Sequence, residues 1–302
     1  MDGILNINKA TGMTSHDVVA RVRKLLKQKR VGHAGTLDPA ASGVLPVCIG
    51  LGTRVAEYLS ESGKAYRAEI QFGSVTDTYD SEGNVLRTSA TDTLTLAHIE
   101  EALPHFLGAQ MQIPPLYSAI KLQGQPAYKR IRAGEEITLE ARPIEIYALQ
   151  IVNWQTPLLT LDVECSKGTY IRSLAYDMGE YLGYGAHLAG LARTRSGPFM
   201  LEQSISLEQL ALIIEEGELT DAVFPPDFAL QHYPALFLDE ETTQRVLHGN
   251  TFQHELSSPQ LESDLVRIYD NNGHFLAIAS WDTAGQVWHP KKVFEARIAD
   301  NA

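Results

Sequence analysis

His33-Ala34-Gly35-Thr36-Leu37-Asp38-Pro39-Ala40-Ala41-Ser42-Gly43 runs straight into Val44-Leu45-Pro46-Val47-Cys48-Ile49-Gly50, and this stretch decides how the chain is read. An aspartate sits between glycines, just ahead of a strand-like apolar run. Gly35 and Gly43 permit backbone angles that other residues resist, and Pro39 fixes the chain immediately after the carboxylate. Such a loop holds one carboxylate in a set direction, as a reacting group requires. Judged on Gly, Asp and Pro content alone, a turn in which Asp38 caps its own backbone is the simpler alternative.

A reacting carboxylate needs partners. A guanidinium would keep it ionised and hold it through two parallel hydrogen bonds. Ser166-Lys167-Gly168-Thr169-Tyr170-Ile171-Arg172 offers one: a glycine turn after a strand, then a helix start carrying Tyr170 and Arg172. Lys64-Ala65-Tyr66-Arg67 offers an aromatic hydroxyl at the start of another strand. Taken singly, Tyr66 reads as a strand aromatic and Arg172 as a surface helix residue.

Farther out, Gly3 to Asn8 alternates as a short strand, and Thr14-Ser15 offers an N-cap to a helix whose apolar face is Val18, Val19, Val22, Leu25 and Leu26. The pattern predicts helices over Thr53 to Ser62, Leu96 to Leu107 and Tyr170 to Leu182. It predicts strands over Lys64 to Phe72, Ile144 to Trp154, Leu158 to Cys165 and Ala186 to Arg193, and a Pro/Gly-rich loop over Gln110 to Gln125. Strands and helices in this mixed order indicate a mixed α/β or α+β core, not a run of βαβ units. Paired prolines, Pro225-Pro226, follow the acidic helix Leu207 to Glu216 and mark a boundary. Beyond it, Leu265 to Asp270 and His274 to Ala279 flank Asn271-Asn272-Gly273, a strong hairpin signal, so a β-rich unit of roughly 70 residues is expected.

The 302 residues suit one large or two modest domains. No apolar stretch approaches the roughly 20 residues of a membrane helix, and the N-terminus lacks the pattern of a secretion signal. Cys48 and Cys165 lie in apolar strand-like runs, which predicts buried thiols in a reducing cytoplasm. The ten histidines are scattered, and no His-x-x-x-His or Cys-x-x-Cys spacing suggests a metal. A net charge of −12 argues, as an average, against a nucleic-acid partner. Its distribution argues otherwise. Arg21, Arg23, Lys24, Lys27, Lys29 and Arg30 form one basic group. Lys121, Lys129, Arg130 and Arg132 form a second, and Lys167, Arg172, Arg193 and Arg195 a third. From Glu202 to Asp264, Arg245 is the only Lys or Arg. Local positive patches govern phosphate binding more than net charge does.

Gly35 to Gly43, Tyr66-Arg67 and Lys167 to Arg172 together resemble the signature motifs of the bacterial tRNA pseudouridine synthase B family. The match keeps the family's order over about Gly3 to Ser196. It takes in Lys9 with Gly12-Met13-Thr14-Ser15, Thr76-Asp77-Thr78-Tyr79-Asp80 and Pro115-Leu116-Tyr117-Ser118-Ala119-Ile120-Lys121. Ala10 stands where the family usually has proline, which leaves the first turn less rigid.

The resemblance implies an α+β fold: a mixed, largely antiparallel sheet with flanking helices, over residues 1–225, with an RNA-binding insertion at about 120–145. A small PUA-like β-rich domain would follow over 226–302. It implies a cytoplasmic, monomeric enzyme that isomerises the T-loop uridine of tRNA (position 55) to pseudouridine, without cofactor, metal, membrane or obligate protein partner. Asp38 matches the catalytic aspartate, which could attack C6 of the base, attack C1′ of the ribose or take a ribose proton. Arg172 matches its arginine partner, and Tyr66 the tyrosine that stacks on the base and is a candidate to remove the C5 proton. His33 matches the histidine that fills the space left by the flipped base. Asp80, Lys121, Arg132, Tyr170 and Leu191 are the remaining candidate RNA contacts or pocket residues. Asp77 and Asp80 beside Asp38 also raise paired-carboxylate glycoside chemistry, which lacks an aromatic sugar platform here. A non-catalytic RNA-binding or tRNA-folding protein using the same cleft is the alternative, and it would not require the full Asp38–Tyr66–Arg172 set.

Overall fold

A computed structural model of the chain describes residues 1–118, 121–122, 125–126, 137–261 and 263–294. Strands β1 (Gly3–Lys9), β2 (Val31–His33), β3 (Ser42–Ile49), β4 (Lys64–Phe72) and β7 (Gly108–Gln112) belong to a ten-stranded sheet. So do β10 (Arg142–Gln155), β11 (Leu158–Cys165), β12 (Ala186–Ser196), β13 (Phe199–Met200) and β14 (Val223–Phe224). The order is β14-β1-β3-β12-β4-β11-β10-β7, with β2 on β3 and β13 on β12. Every pair is antiparallel except β3 with β12. The expected mixed, largely antiparallel α+β core is present. Two-stranded ribbons, β5 (Ser74–Thr76) with β6 (Val85–Thr88) and β8 (Lys121–Leu122) with β9 (Gln125–Pro126), lie off it.

Burial follows the sequence patterns. In β4, Lys64, Tyr66, Ala68, Ile70 and Phe72 are buried in strict alternation, as a pleated strand with one core face demands. In β3 all but the first residue are buried, and the run reads as continuously apolar for that reason. Helices α1 (Ser15–Leu26), α2 (Ala56–Glu61), α3 (Leu96–Ala102), α4 (Ile171–Leu182) and α5 (Leu207–Glu216) flank the sheet. One apolar cluster joins α1, α3, α4 and α5 to the strands through Val18, Ile99, Leu174 and Leu210.

Three expectations need correction. Gln110 to Gln125 is not one loop: Gly108–Gln112 pairs with β10 as the edge strand β7, ended by Pro114 and Pro115. Thr53 to Ser62 is a 3-10 turn, Gly50–Val55, followed by α2. The Leu96 helix ends at Ala102, and Pro104 sits in the 3-10 turn after it, Leu103–Phe106. Cys48 and Cys165 are buried free thiols as expected. No helix among the described residues is long and apolar enough to cross a membrane.

A second sheet, β15-β16-β17-β18, is formed by Ala235–Leu238, Leu265–Asp270, Phe275–Asp282 and Val287–Val293. The predicted Asn271-Asn272-Gly273 turn joins β16 to β17 antiparallel, with Asp270 bonded to the His274 backbone on both sides of the turn. Ile278 of this sheet and Phe294, just after β18, share a buried cluster with Val55, Leu59 and Phe199.

Candidate active site

The Asp38 loop links β2 to β3 and is pinned on both sides of the aspartate. Ser15, the first residue of α1, donates its hydroxyl to the Leu37 carbonyl (3.1 Å) and accepts from the Leu37 N–H (2.9 Å). Pro39 accepts from the Gly12 N–H (2.8 Å) and from the buried Lys9 ammonium (3.3 Å). Lys9 also donates to Ala10 and Met13, so the first turn is held despite lacking the family's proline. Gly43 has φ +101°, and a Cβ there would lie 2.2 Å from the Arg193 carbonyl. Only glycine lets β3 run alongside β12 at that point.

Arg172 enters from the start of α4, as Gly168 (φ +78°) turns the chain after β11. Its side chain is 7% exposed, and its Nη2 lies 3.0 Å from Oδ2 of Asp38, whose side chain is 45% exposed. The same guanidinium donates from Nη1 to Asp80 Oδ2 (3.3 Å) and from Nη2 to the Tyr117 carbonyl (3.1 Å). A half-exposed carboxylate is thus directed by a buried cation that is itself fixed from behind. Tyr66 is buried on the core face of β4 and Tyr170 precedes α4, where Gln112 of β7 bonds its backbone in both directions.

Asp38, Tyr66, Tyr170, Arg172 and Leu191 line one pocket of about 330 Å³. Ligand pockets run from roughly 300 to 1,000 Å³, so this one suits a single base with its sugar, not a stretch of RNA. Asp80 is behind Arg172. His33 ends β2 outside the lining, its ring edge-on to His16 at 6.1 Å, and burial holds its imidazole below the ordinary range. Lys121 lies in β8, and Arg132 falls outside the described residues, as does half of the 120–145 insertion. Asp77 accepts from the Asn84 backbone and amide, a turn contact, and is not paired with Asp38.

Two pocket residues escaped the sequence reading as site residues. Arg193 is fully buried and bonds Val44 O (2.7 Å) and Gly35 O (3.0 Å), tying β3 and the aspartate loop to β12. It sits directly opposite Tyr66 across β12 and β4. Lys64, two residues before Tyr66 on the same strand face, donates to Ser60 and Ser62 carbonyls. Burial, reinforced by the Arg193 charge, lowers it from 10.5 to about 8. Burial also pushes the Tyr66 phenol up, against the pull of Arg193. The third basic group is therefore split: Arg172 and Arg193 are internal, whereas Lys167 pairs with Glu61, and Arg195 with Glu164 (2.6 Å), at the surface. Period-two spacing was the available signal, since it puts Lys64 with Tyr66 and Leu191 with Arg193. Among the described residues no three His, Cys, Asp or Glu side chains converge as metal ligands.

Three family models match the chain in succession. They are TruB family pseudouridylate synthase (N terminal domain) over residues 23–171, tRNA pseudouridylate synthase B C-terminal domain over 172–231, and Pseudouridine synthase II TruB, C-terminal, over 234–294. A tRNA pseudouridine synthase B of Dehalococcoides mccartyi is 42% identical over 294 residues, 97% of each chain. One of Geobacter sulfurreducens is 47% identical over 249 residues, 82% of each. Among solved structures, a chain of a Cbf5-Nop10-Gar1 complex superposes with a TM-score of 0.75 at 30% identity, over 98% of this chain and 85% of that one.

Proposed function

The chain belongs to the TruB family of pseudouridylate synthases, and on that premise we propose that it isomerises a uridine of tRNA to pseudouridine, acting on the T-loop position 55. The observation that carries this reading is the 3.0 Å contact between the buried Arg172 guanidinium and the half-exposed Asp38 carboxylate, both lining a base-sized pocket. RNA binding alone would not require one carboxylate to be directed by a cation fixed in the interior.

The chemistry follows from the placement. The flipped uridine enters with its ring between Tyr66 and Leu191, replacing the stacking it leaves behind. Asp38 supplies the reacting carboxylate, and attack on C6, attack on C1′ and removal of a ribose proton all use this position. The C–N glycosidic bond breaks, the ring turns, and C5 bonds to C1′. The C5 proton must then leave. Tyr66 is the candidate to accept it, but a phenol that burial keeps protonated is a weak acceptor, and its role is chiefly to stack on the base. Arg172 keeps Asp38 in place throughout, and Asp80 and Tyr170 support the arginine and the pocket wall. His33, kept neutral by burial, is suited to stack in the gap in the T loop. No cofactor or metal has a part in this scheme.

We assign the pocket to a catalytic domain over 1–225 and a PUA-like RNA-contacting role to residues 226–302. The enzyme would work as a cytoplasmic monomer on the T arm. Lys121 and Arg132 would touch its phosphates. Mass spectrometry of a T-arm hairpin incubated with the Asp38→Asn variant tests the assignment. Pseudouridine formation should fall by roughly 10²–10⁴-fold or more, with hairpin affinity within a few-fold of the native protein. Conversion at the native rate would overturn the catalytic assignment of Asp38, and no conversion by the native protein would leave the RNA-binding alternative standing.

A further inference from the structure

We propose that the stacked pair Tyr79–Tyr176 is a positioning pin for Arg172, and through it for Asp38. The inference rests on the isomerase reading of the same site. The rings are 4.0 Å apart and 17° from parallel. Each belongs to a residue next to the Arg172–Asp80 contact. Tyr79 immediately precedes Asp80, and Tyr176 lies four residues after Arg172, one turn along the same face of α4. The loop and the helix are therefore joined twice side by side, once by the ion pair and once by the stack.

The loop conformation needs such a brace. Tyr79 has φ +63°, a left-handed backbone that tyrosine rarely adopts. Its carbonyl accepts from the Leu188 N–H of β12 (2.9 Å), and the Leu188 carbonyl accepts from Ser81 N–H (3.1 Å), fixing one side of the loop. The other side faces α4, where the stack holds it. Within the loop, Thr78 Oγ1 donates to Asp80 Oδ1 (2.6 Å), leaving Oδ2 for Arg172. Without the stack, Tyr79 can relax out of the left-handed region and carry Asp80 with it. Arg172 then loses the charged anchor on Nη1 and keeps only the Thr78 (3.4 Å) and Tyr117 (3.1 Å) carbonyls, so its Nη2 is held less tightly toward Asp38. Neither tyrosine lines the pocket, so the expected signature is a loss in kcat with little change in KM.

The experiment is steady-state pseudouridine formation on a T-arm hairpin by the full-length chain. Tyr79→Leu should lower kcat by roughly 10- to 100-fold, the scale of a small misplacement at the reacting centre, with KM within about threefold of native. Tyr79→Phe, which keeps the ring and the stack, should stay within about twofold. Tyr79→Leu combined with Asp80→Asn should be no slower than Asp80→Asn alone, because both changes remove the same anchor. Additive losses, or an undiminished kcat in Tyr79→Leu, overturn the pin while leaving the isomerase reading intact. If the native chain makes no pseudouridine, it is that reading that fails. Should Tyr79→Leu not fold, Tyr176→Leu carries the same expectations. If neither variant folds, the stack is a general brace and the proposal is wrong.

Discussion

Lys64 and Arg193 put two buried cations beside Tyr66, with carbonyl oxygens as their hydrogen-bond acceptors among the described residues. That arrangement has a measurable cost. In the unfolded chain Lys64 binds its proton up to about pH 10.5, whereas in the folded chain it gives it up near pH 8. Between those values the unfolded state holds more protons, so this group makes stability rise with pH. Below pH 8 the full penalty, roughly 3 kcal/mol at most, is present. Chemical denaturation of the native chain and of Lys64→Met should therefore diverge, native gaining on the variant from pH 8 to 10. Parallel curves would mean that the ammonium is solvated after all. Asp38, Tyr66 and Arg172 were legible at this scale because each sits in its own motif, with glycines or strand alternation to mark it. Arg193 was not, because its sequence neighbours grouped it with Lys167 and Arg195. Only strand register sets it opposite Tyr66.

Helix α1 shows how an element serves the site. The capping pair Thr14-Ser15 was legible, and its two members prove to have separate tasks. Thr14 is the N-cap, in a capping box with Asp17. Ser15 instead satisfies both backbone groups of buried Leu37, next to Asp38. Thr14→Ala should cost about 1 kcal/mol of stability and leave kcat near native. Ser15→Ala leaves a buried donor and a buried acceptor unpaired, each costing about 1–3 kcal/mol, and should also lower kcat. Thermal unfolding and hairpin turnover of the two variants check this, and equal turnover would show that the Leu37 clamp is not needed. β7 was the element least legible in advance. Gln110 and the prolines after it read as loop, and the strand exists because β10 offers a free edge that five residues can pair with. Its consequence is local to the site, since Gln112 holds Tyr170.

At the scale of the whole molecule, the net charge of −12 is the least informative number in the sequence. Acidic side chains Glu208, Glu215, Glu216, Glu218 and Asp221 are exposed on α5 and the turn after it, while Arg21, Lys24, Lys27 and Lys29 are exposed on and just beyond α1. The hairpin at Asn272-Gly273 was legible, but the apolar joint that seats the second sheet on Val55 and Leu59 was not, because no local pattern encodes it. Within about 10 Å of a phosphate, local charge outweighs the rest of the surface at moderate salt. Hairpin affinity should therefore fall with salt despite the acidic average. A footprint of three to six phosphates gives a log–log slope of roughly −2 to −5. Replacing Lys24, Lys27 and Lys29 by Gln should make the slope shallower by roughly 0.7–0.9 for each residue that touches a phosphate. Replacing Glu215, Glu216 and Glu218 by Gln should leave the slope unchanged, because no counterion is released there. Filter-binding titrations from low to moderate salt separate these cases. A flat response in the native chain would place the RNA away from every basic group named here, and equal slopes in native and lysine variants would move it off α1 alone.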